Sequence, residues 1–200
     1  KRAHVSFIRV LFIGLIALCV AVSSLGIGSI RGILANTPDV NEVDIMPLGY
    51  ATFLYDCNGN QIRKLAAPNA NRLPVSIDQI PLDLQHAVVA IEDERFYEHN
   101  GIDIRGIMRA MAENIKTMSF SQGASTLTQQ VLKNEVLERE KSISRKIKEQ
   151  YLAVSLENAL KKQLGSKDAA KKYILELYLN TIPLHHGLRG VEAAAQYYYG

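Results

Sequence analysis

The chain has 200 residues, of which 48% are hydrophobic, and it carries 23 basic and 20 acidic side chains. This is enough for one membrane-spanning segment and one domain with a core that needs no disulfides. Lys1, Arg2 and Arg9 precede the first apolar run, and without them 20 basic residues face 20 acidic ones. The excess positive charge therefore gives no support to binding of nucleic acid, which would need a basic face on the folded domain.

The first predicted element is a membrane-spanning helix at residues 10–30, after a cytoplasmic tail at residues 1–9. No charged residue occurs from Val10 to Ile30, and about 20 apolar or small residues can cross a bilayer as a helix. A cleaved signal peptide is the alternative, but its apolar region would be shorter and would end at a small-residue cleavage site. Because basic residues precede the span, we expect a cytoplasmic N-terminus and an extracytoplasmic domain after Arg31.

A linker is predicted at residues 31–49, where prolines and glycines occur without a clear period. Residues 51–55 and 61–65 flank a turn that contains Asn58 and Gly59, which predicts a small β-hairpin. Residues 50–200 are expected to form one domain, incomplete at its C-terminal end.

The rest of the domain has a helical pattern nearly throughout. An apolar run from Leu82 to Ile91 predicts a helix that carries Glu92 at its end. Further helices are predicted at about 103–118, 125–134, 142–164, 168–180 and 191–199. The expected caps are Asp103, Ser125 and Ser142, and Gly165 ends the longest helix.

The stretch from Ala90 to Gly101 is the first candidate site, because four carboxylates surround a Phe-Tyr pair and a histidine. At a helix C-terminus the backbone carbonyls and neighbouring acids oppose ionisation, which suits Glu92 to accept a proton near neutral pH. A solvated acidic helix end is the alternative interpretation.

Two further stretches suit binding of sugar or phosphate groups. Hydroxyl and amide side chains fill Gly123 to Gln130, where a predicted helix begins, and a helix N-terminus favours sugar or phosphate groups. The alternative is a capping box with a polar face. Arg145 and Lys146 then precede Glu149, which indicates a diphosphate site or, as the alternative, an ordinary surface ion pair.

Four ordered motifs resemble the membrane-anchored peptidoglycan glycosyltransferases, glycosyltransferase family 51. This is the transglycosylase module of class A penicillin-binding proteins and of monofunctional transglycosylases. The first motif, E-D-x-x-F-x-x-H-x-G, is matched by Glu92, Asp93, Phe96, His99 and Gly101. The second, G-x-S-T-x-T-Q-Q followed by K-N, is matched by Gly123, Ser125, Thr126, Thr128, Gln129, Gln130, Lys133 and Asn134. The third, R-K-x-x-E, is Arg145, Lys146 and Glu149, and the fourth, I-L-E-x-Y-L-N, runs from Ile174 to Asn180.

The resemblance implies a mainly α, lysozyme-like helical domain with a small β-hairpin, preceded by one transmembrane helix. It implies polymerisation of lipid II into β-1,4-linked glycan strands at the outer face of the cytoplasmic membrane. Glu92 would be the general base for the acceptor hydroxyl, with inversion and release of undecaprenyl diphosphate. Glu149 would be the second catalytic carboxylate and would order the diphosphate region.

The resemblance also implies the remaining roles and partners. Substrate-binding positions would be Asp93, Phe96, His99, Gly123, Ser125, Thr126, Gln129, Gln130, Lys133, Asn134, Arg145, Lys146 and Asn180. A divalent cation, Mg²⁺ or Mn²⁺, is allowed near Glu149, and no organic cofactor is implied. The expected partners are lipid II, the growing strand, the cytoplasmic membrane and other proteins of cell-wall synthesis.

Some residues receive a plainer interpretation. His99 is interpreted as a buried hydrogen-bond partner in the Glu92 loop, and the adjacent pair His185 and His186 is not favoured as a metal site because its rings diverge. A solvated face is predicted for Lys161, Lys162, Lys167, Lys171 and Lys172. Two rival functions are a lysozyme-like hydrolase or lytic transglycosylase, and a catalytically silent membrane-tethered scaffold.

Overall fold

The computed structural model describes residues 2–40, 50–65, 72–119, 123–136 and 142–200. Part of the predicted linker, residues 41–49, lies outside the described residues. Over the described ranges the chain is mainly helical with one small two-stranded sheet, which confirms the predicted fold class.

In chain order, the α-helices and β-strands are α1 (Arg2–Ala35), β1 (Thr52–Tyr55), β2 (Gln61–Leu65), α2 (Leu82–Glu92), α3 (Ile104–Thr117), α4 (Leu127–Glu135), α5 (Ile143–Leu164), α6 (Lys167–Thr181) and α7 (Val191–Tyr199). Strands β1 and β2 pair antiparallel around the predicted turn, with Thr52 opposite Leu65. The predicted hairpin is therefore present.

Helix α1 extends beyond both ends of the predicted span. The part from Arg9 to Ala35 is long and apolar enough to cross a membrane, and none of it is buried against the protein. The first five residues of the predicted linker therefore continue the helix. Gly32 does not interrupt it, and the first proline after the span is Pro38, beyond the observed end of the helix.

The predicted caps are confirmed at Asp103 and Ser142, whose side chains accept backbone hydrogen bonds from Gly106 and Arg145. The expected cap of α4 is wrong by one residue, because Thr126 rather than Ser125 occupies it. A capping box needs Glu or Gln three positions after the cap. Gln129 meets that spacing for Thr126, whereas Thr128 stands three positions after Ser125.

The core lies where α4, α5 and α6 pack together. Its largest fully buried apolar side chains are Phe96, Leu127, Leu132, Leu152, Ile174, Leu175, Tyr178 and Leu179. On α5 the buried stripe contains Leu152, Leu156 and Leu160, whereas Ile143 is 82% exposed. Ile143, Ile147 and Tyr151 form a second stripe with helical spacing on this helix, so the sequence pattern by itself does not select the buried one.

Helix α3 leaves most of its apolar residues uncovered. Only Gly106 and Ala110 are buried on it. The exposed apolar side chains are Ile104, Met108, Met111 and Ile115. The helix is present as predicted, but this apolar stripe does not face the core.

The fourth motif braces the segment that leads into α2. Asn180 accepts a hydrogen bond from the Val75 backbone N–H (2.8 Å) and donates one to the Val75 carbonyl (2.9 Å). The Glu176 carboxylate accepts a hydrogen bond from the Ile77 backbone N–H at 2.7 Å. Asn180, expected to bind substrate, is thus a buried clamp on the chain that positions α2.

Gly101 lies where the backbone of one loop touches that of α5. Its φ is +89°, and a Cβ there would lie 2.5 Å from the Ala153 carbonyl oxygen. Both the backbone conformation and the lack of space require glycine.

We predict that Gly101→Ala destabilises the fold by more than about 2 kcal/mol, because the backbone strain adds to a collision with α5. Gly165→Ala is the matched control: its φ is +80°, but nothing lies within 4 Å of the added Cβ. The control should cost only about 1 kcal/mol. Urea unfolding in detergent measures both, and equal losses would contradict the close approach.

Candidate active site

Glu92 is the last residue of α2 and its side chain is exposed. Gln130 of α4 donates a hydrogen bond from Nε2 to Glu92 Oε2 at 2.9 Å. The carboxylate lines a cavity of about 140 Å³ whose other wall is the loop from Gly123 to Thr126. The structure therefore brings the first and second motifs together at this carboxylate.

Tyr178 of α6 lies in the same neighbourhood. Burial, and to a smaller extent the negative charge of Glu92, raise the pKa of Tyr178 to about 12. A tyrosine that stays protonated beside a carboxylate is a neutral neighbour at physiological pH. Helices α2, α4 and α6 thus all contribute to the surroundings of Glu92.

Asp93 and His99 are buried together behind Glu92. The Asp93 carboxylate accepts a hydrogen bond from His99 Nε2 at 2.9 Å and one from the Leu127 backbone N–H at 3.0 Å. The expected buried hydrogen bond of His99 is therefore present. These contacts fix the turn after α2 and leave the side chains of Asp93 and His99 only 2% and 7% exposed.

The polar run of the second motif divides into two groups. Thr126 and Gln129 form a buried capping box, with Thr126 Oγ1 donating to the Gly101 carbonyl at 2.7 Å. These two side chains, expected at the substrate, instead join α4 to the first motif. Ser125 lines both cavities, and Gln130 is hydrogen-bonded to Glu92.

The third motif forms a buried ion cluster rather than an ordinary surface pair. The side chain of Glu149 is 2% exposed, and it pairs with Arg145 (3.1 Å) and with Lys146. Lys146 also donates to Ser125 Oγ at 2.9 Å, although its own side chain remains 39% exposed. A buried carboxylate here holds two cations, and Lys146 is the one that lines a cavity.

A groove of about 640 Å³ begins at this cluster and runs along α3. Its walls are mostly apolar, and they include Ile107, Met111 and Ile115. Lys146 and Ser125 lie at the polar side of the groove. The loop at 123–125 borders both this groove and the Glu92 cavity.

Two predicted residues lie away from the ion cluster. Lys133 and Asn134 are near the C-terminal end of α4, and Lys133 is exposed. Lys133 stands three residues after Gln130, so both occupy one face of the helix. It is therefore on the Glu92 side of α4.

The residues at Glu149 do not provide a good site for a divalent cation. Both carboxylate oxygens already accept from Arg145 or Lys146, and a cation would have to displace one of them. No group of three His, Cys, Asp or Glu side chains suited to a metal occurs within the described ranges. We derive no catalytic step through a metal ion.

The predicted solvated face is wrong at one of its lysines. Lys171, expected on a solvated face, is 1% exposed and pairs with buried Glu157 at 2.8 Å. Neither residue was singled out as functional. The sequence does contain a pattern that indicates burial of Lys171, because this residue shares the apolar stripe of Ile174, Leu175 and Tyr178 at helical spacing.

The arrangement agrees with comparisons to known proteins. A family model described as Transglycosylase matches residues 58–200. Penicillin-binding protein 1A of Clostridium perfringens (strain 13 / Type A) is 43% identical over 198 residues, which cover 96% of this chain and 28% of that protein. Penicillin-binding protein 1A of Escherichia coli (strain K12) is 42% identical over 180 residues, covering 88% of this chain and 20% of that protein. The chain thus spans less than a third of the length of these relatives.

We predict that the double substitution Arg145→Ala/Lys146→Ala destabilises the protein by about 3 kcal/mol or more, because it leaves Glu149 buried without a counter-charge. Lys161→Ala/Lys162→Ala is the control, since both lysines are exposed on the same helix; it should change stability by less than about 0.5 kcal/mol. Thermal unfolding measures both. If the test variant loses no more stability than the control, Glu149 is not left as an unpaired buried charge.

Proposed function

This chain belongs to the transglycosylase family, and from that premise we propose that it is a peptidoglycan glycosyltransferase that polymerises lipid II into β-1,4-linked glycan strands. The substrate combines sugars, a diphosphate and a long prenyl chain. One observation carries the proposal: a single loop, residues 123–125, borders both a carboxylate cavity and an apolar groove with a cation beside it. Such a pair of cavities suits a ligand with all three chemical parts.

The apolar groove along α3 supports binding of the prenyl chain. A prenyl chain that packs against Ile107, Met111 and Ile115 is removed from water. This burial is favourable by about 25 cal/mol per Å² of apolar surface. At the loop the groove meets Lys146, and Arg145 pairs with the other carboxylate oxygen of the shared Glu149. In the proposed complex these two cations neutralise the diphosphate.

The proposed reaction is an inverting displacement with Glu92 as general base. Glu92 takes the proton from the C4 hydroxyl of the acceptor sugar while that oxygen attacks the anomeric carbon of the growing strand. The new C–O bond forms as the bond from the anomeric carbon to the phosphate oxygen breaks, and the diphosphate leaves with the electron pair. The hydrogen bond from Gln130 supports this role because it orients the Glu92 carboxylate.

Glu149 has a different role in the proposal. Its buried carboxylate sets the positions of Arg145 and Lys146, so it acts on the leaving group through these cations. Ser125 and Gln130 are the motif-two side chains placed to reach sugar or phosphate oxygens. Lys133, on the same face as Gln130, is proposed to contact the substrate at that side of α4.

We further propose that α1 lies in the cytoplasmic membrane with its N-terminus inside the cell. The basic residues ahead of the apolar run favour that orientation. The domain then stands on the outer face, and the exposed apolar side chains of α3 face the lipid. A lipid-linked substrate would reach the groove without leaving the membrane surface. Other proteins of cell-wall synthesis are proposed partners there.

The activity is tested by incubating the chain with labelled lipid II in detergent. Elongated strands and released undecaprenyl diphosphate would support the proposal. Cleavage of finished peptidoglycan without elongation would instead indicate a lysozyme-like hydrolase or lytic transglycosylase. A folded chain with neither activity would indicate a scaffold, and either result would refute the proposal.

We predict that Glu92→Gln abolishes strand elongation, because the amide cannot accept the hydroxyl proton, while the melting temperature stays within a few degrees of wild type. Glu98→Gln is the matched control, since that carboxylate is exposed on the same loop and its ion pair with Arg105 is long, at 4.0 Å. The control should keep wild-type turnover. Normal turnover by the Glu92 variant would remove Glu92 from the role of base.

We predict that Met111→Gln raises KM for long-chain lipid II about tenfold, because one apolar contact worth about 1.5 kcal/mol is lost from the groove. Met108→Gln is the control: it is an exposed methionine on the same helix that does not line the groove. KM for a short-prenyl analogue should change little in both variants. An equal rise for both chain lengths would argue against the groove as the prenyl site.

A further inference from the structure

A cation lies within the core directly behind the proposed base. The ammonium group of Lys171, from α6, is 4.4 Å from the centre of the Phe96 ring. The same nitrogen lies 2.8 Å from the Glu157 carboxylate of α5. Lys171 and Phe96 are both fully buried, so this contact between a cation and an aromatic face is shielded from water.

The carboxylate of the pair has a second partner. Thr128 Oγ1, on α4, donates to Glu157 Oε1 at 2.6 Å. Burial lowers the pKa of Lys171, and the negative charges of Glu157 and Asp93 oppose that shift. Three helices and the turn of the first motif therefore meet at this one buried pair.

Such a pair is poorly explained by stability alone. Removing two charges from water costs several kcal/mol for each ion, and apolar replacements of similar volume are often as stable or more so. The surrounding stripe of α6 is apolar, so a methionine at 171 would suit the packing. The charged pair instead fixes an orientation, because the Lys171 ammonium must face both the Phe96 ring and the Glu157 carboxylate.

We propose that Lys171 and Glu157 form a positioning unit for Glu92, which sets the carboxylate through two connections. One passes through Phe96 and Asp93, which lie in the turn that begins immediately after Glu92. The other passes through Thr128, two residues before the Gln130 that donates to Glu92. Neither Lys171 nor Glu157 lines the proposed substrate cavities, so the unit acts through Glu92.

This inference rests on the proposed function, and the test variant is Lys171→Met/Glu157→Gln. It removes both charges together, so no buried ion is stranded, and the glutamine oxygen can still accept from Thr128. The matched control is Lys172→Met/Asp168→Asn, which makes the same kinds of change at exposed positions of α6. Both proteins are assayed as the full chain with lipid II.

We expect kcat of the test variant to fall about 10- to 100-fold, because a small misplacement of a catalytic group has effects of that size. KM should stay within about twofold of wild type and the melting temperature within a few degrees, since the substrate cavities and the core are preserved. The control should match wild type in all three. Wild-type kcat in a folded test variant would overturn the inference.

A second variant keeps the test decisive if the double substitution does not fold. Phe96→Leu keeps an apolar side chain in the core and removes only the aromatic face, so kcat should fall while KM is again preserved. A folded Phe96→Leu protein with wild-type kcat overturns the inference. If neither variant folds, the pair is needed for folding alone, which also overturns it.

A structural readout separates this inference from the proposed function. Crystal structures of wild type and the test variant should show the turn after Glu92 displaced and the 2.9 Å contact between Gln130 and Glu92 lengthened. An unchanged turn would overturn the inference whatever the activity. If wild type itself does not elongate strands, the proposed function fails, and the crystallographic comparison still decides whether the pair positions Glu92.

Discussion

The structure depends on one buried carboxylate, Asp93, at the junction of two sequence motifs. Its oxygens accept hydrogen bonds from His99 and from the first N–H of α4, at Leu127. A buried charge is tolerated only when it is hydrogen-bonded, so both partners are held tightly to it. The N-terminus of α4 also carries partial positive charge, which favours the anion. The turn after α2 is thereby fixed against α4, and Glu92, one residue earlier, has a defined place in the cavity.

Two further carboxylates are buried on α5, and their cations differ in what can reach them. Glu149 is satisfied by Arg145 and Lys146 of its own helix, and Lys146 remains 39% exposed beside the groove. Glu157 is satisfied from α6 by Lys171, which is 1% exposed. A ligand can therefore compete for the first carboxylate's cations, whereas the second pair responds only to the protein. Helix α5 thus carries two kinds of ion pair. The diphosphate of the proposed substrate could bind the cations of Glu149, whereas the enclosed pair of Glu157 and Lys171 could act only by positioning other residues.

Much of this organisation follows from local rules and could be predicted from the sequence. The α5 boundaries follow from the Ser142 cap and from Gly165, and the hairpin follows from its Asn-Gly turn. The motif around Glu92 could be located from the sequence, but which of its carboxylates is buried and which is exposed could not be predicted. Asp93 is buried and Glu92 is exposed although they are neighbours, because only the packing of α4 against the turn distinguishes them.

The sequence alone determined the helices, the N-terminal helix long and apolar enough to cross a membrane, and the order of the motifs, because periodicity, capping and apolar length act over short distances along the chain. Only the tertiary structure decided which stripe of α5 is buried, that Thr126 and Gln129 are buried as the capping box of α4, and that Lys171 is a core residue. Each of these outcomes depends on partners far away in sequence, such as Gly101 for Thr126 and Phe96 for Lys171. A side chain's neighbours across the fold set the free energy of burying it, and a local pattern does not contain them.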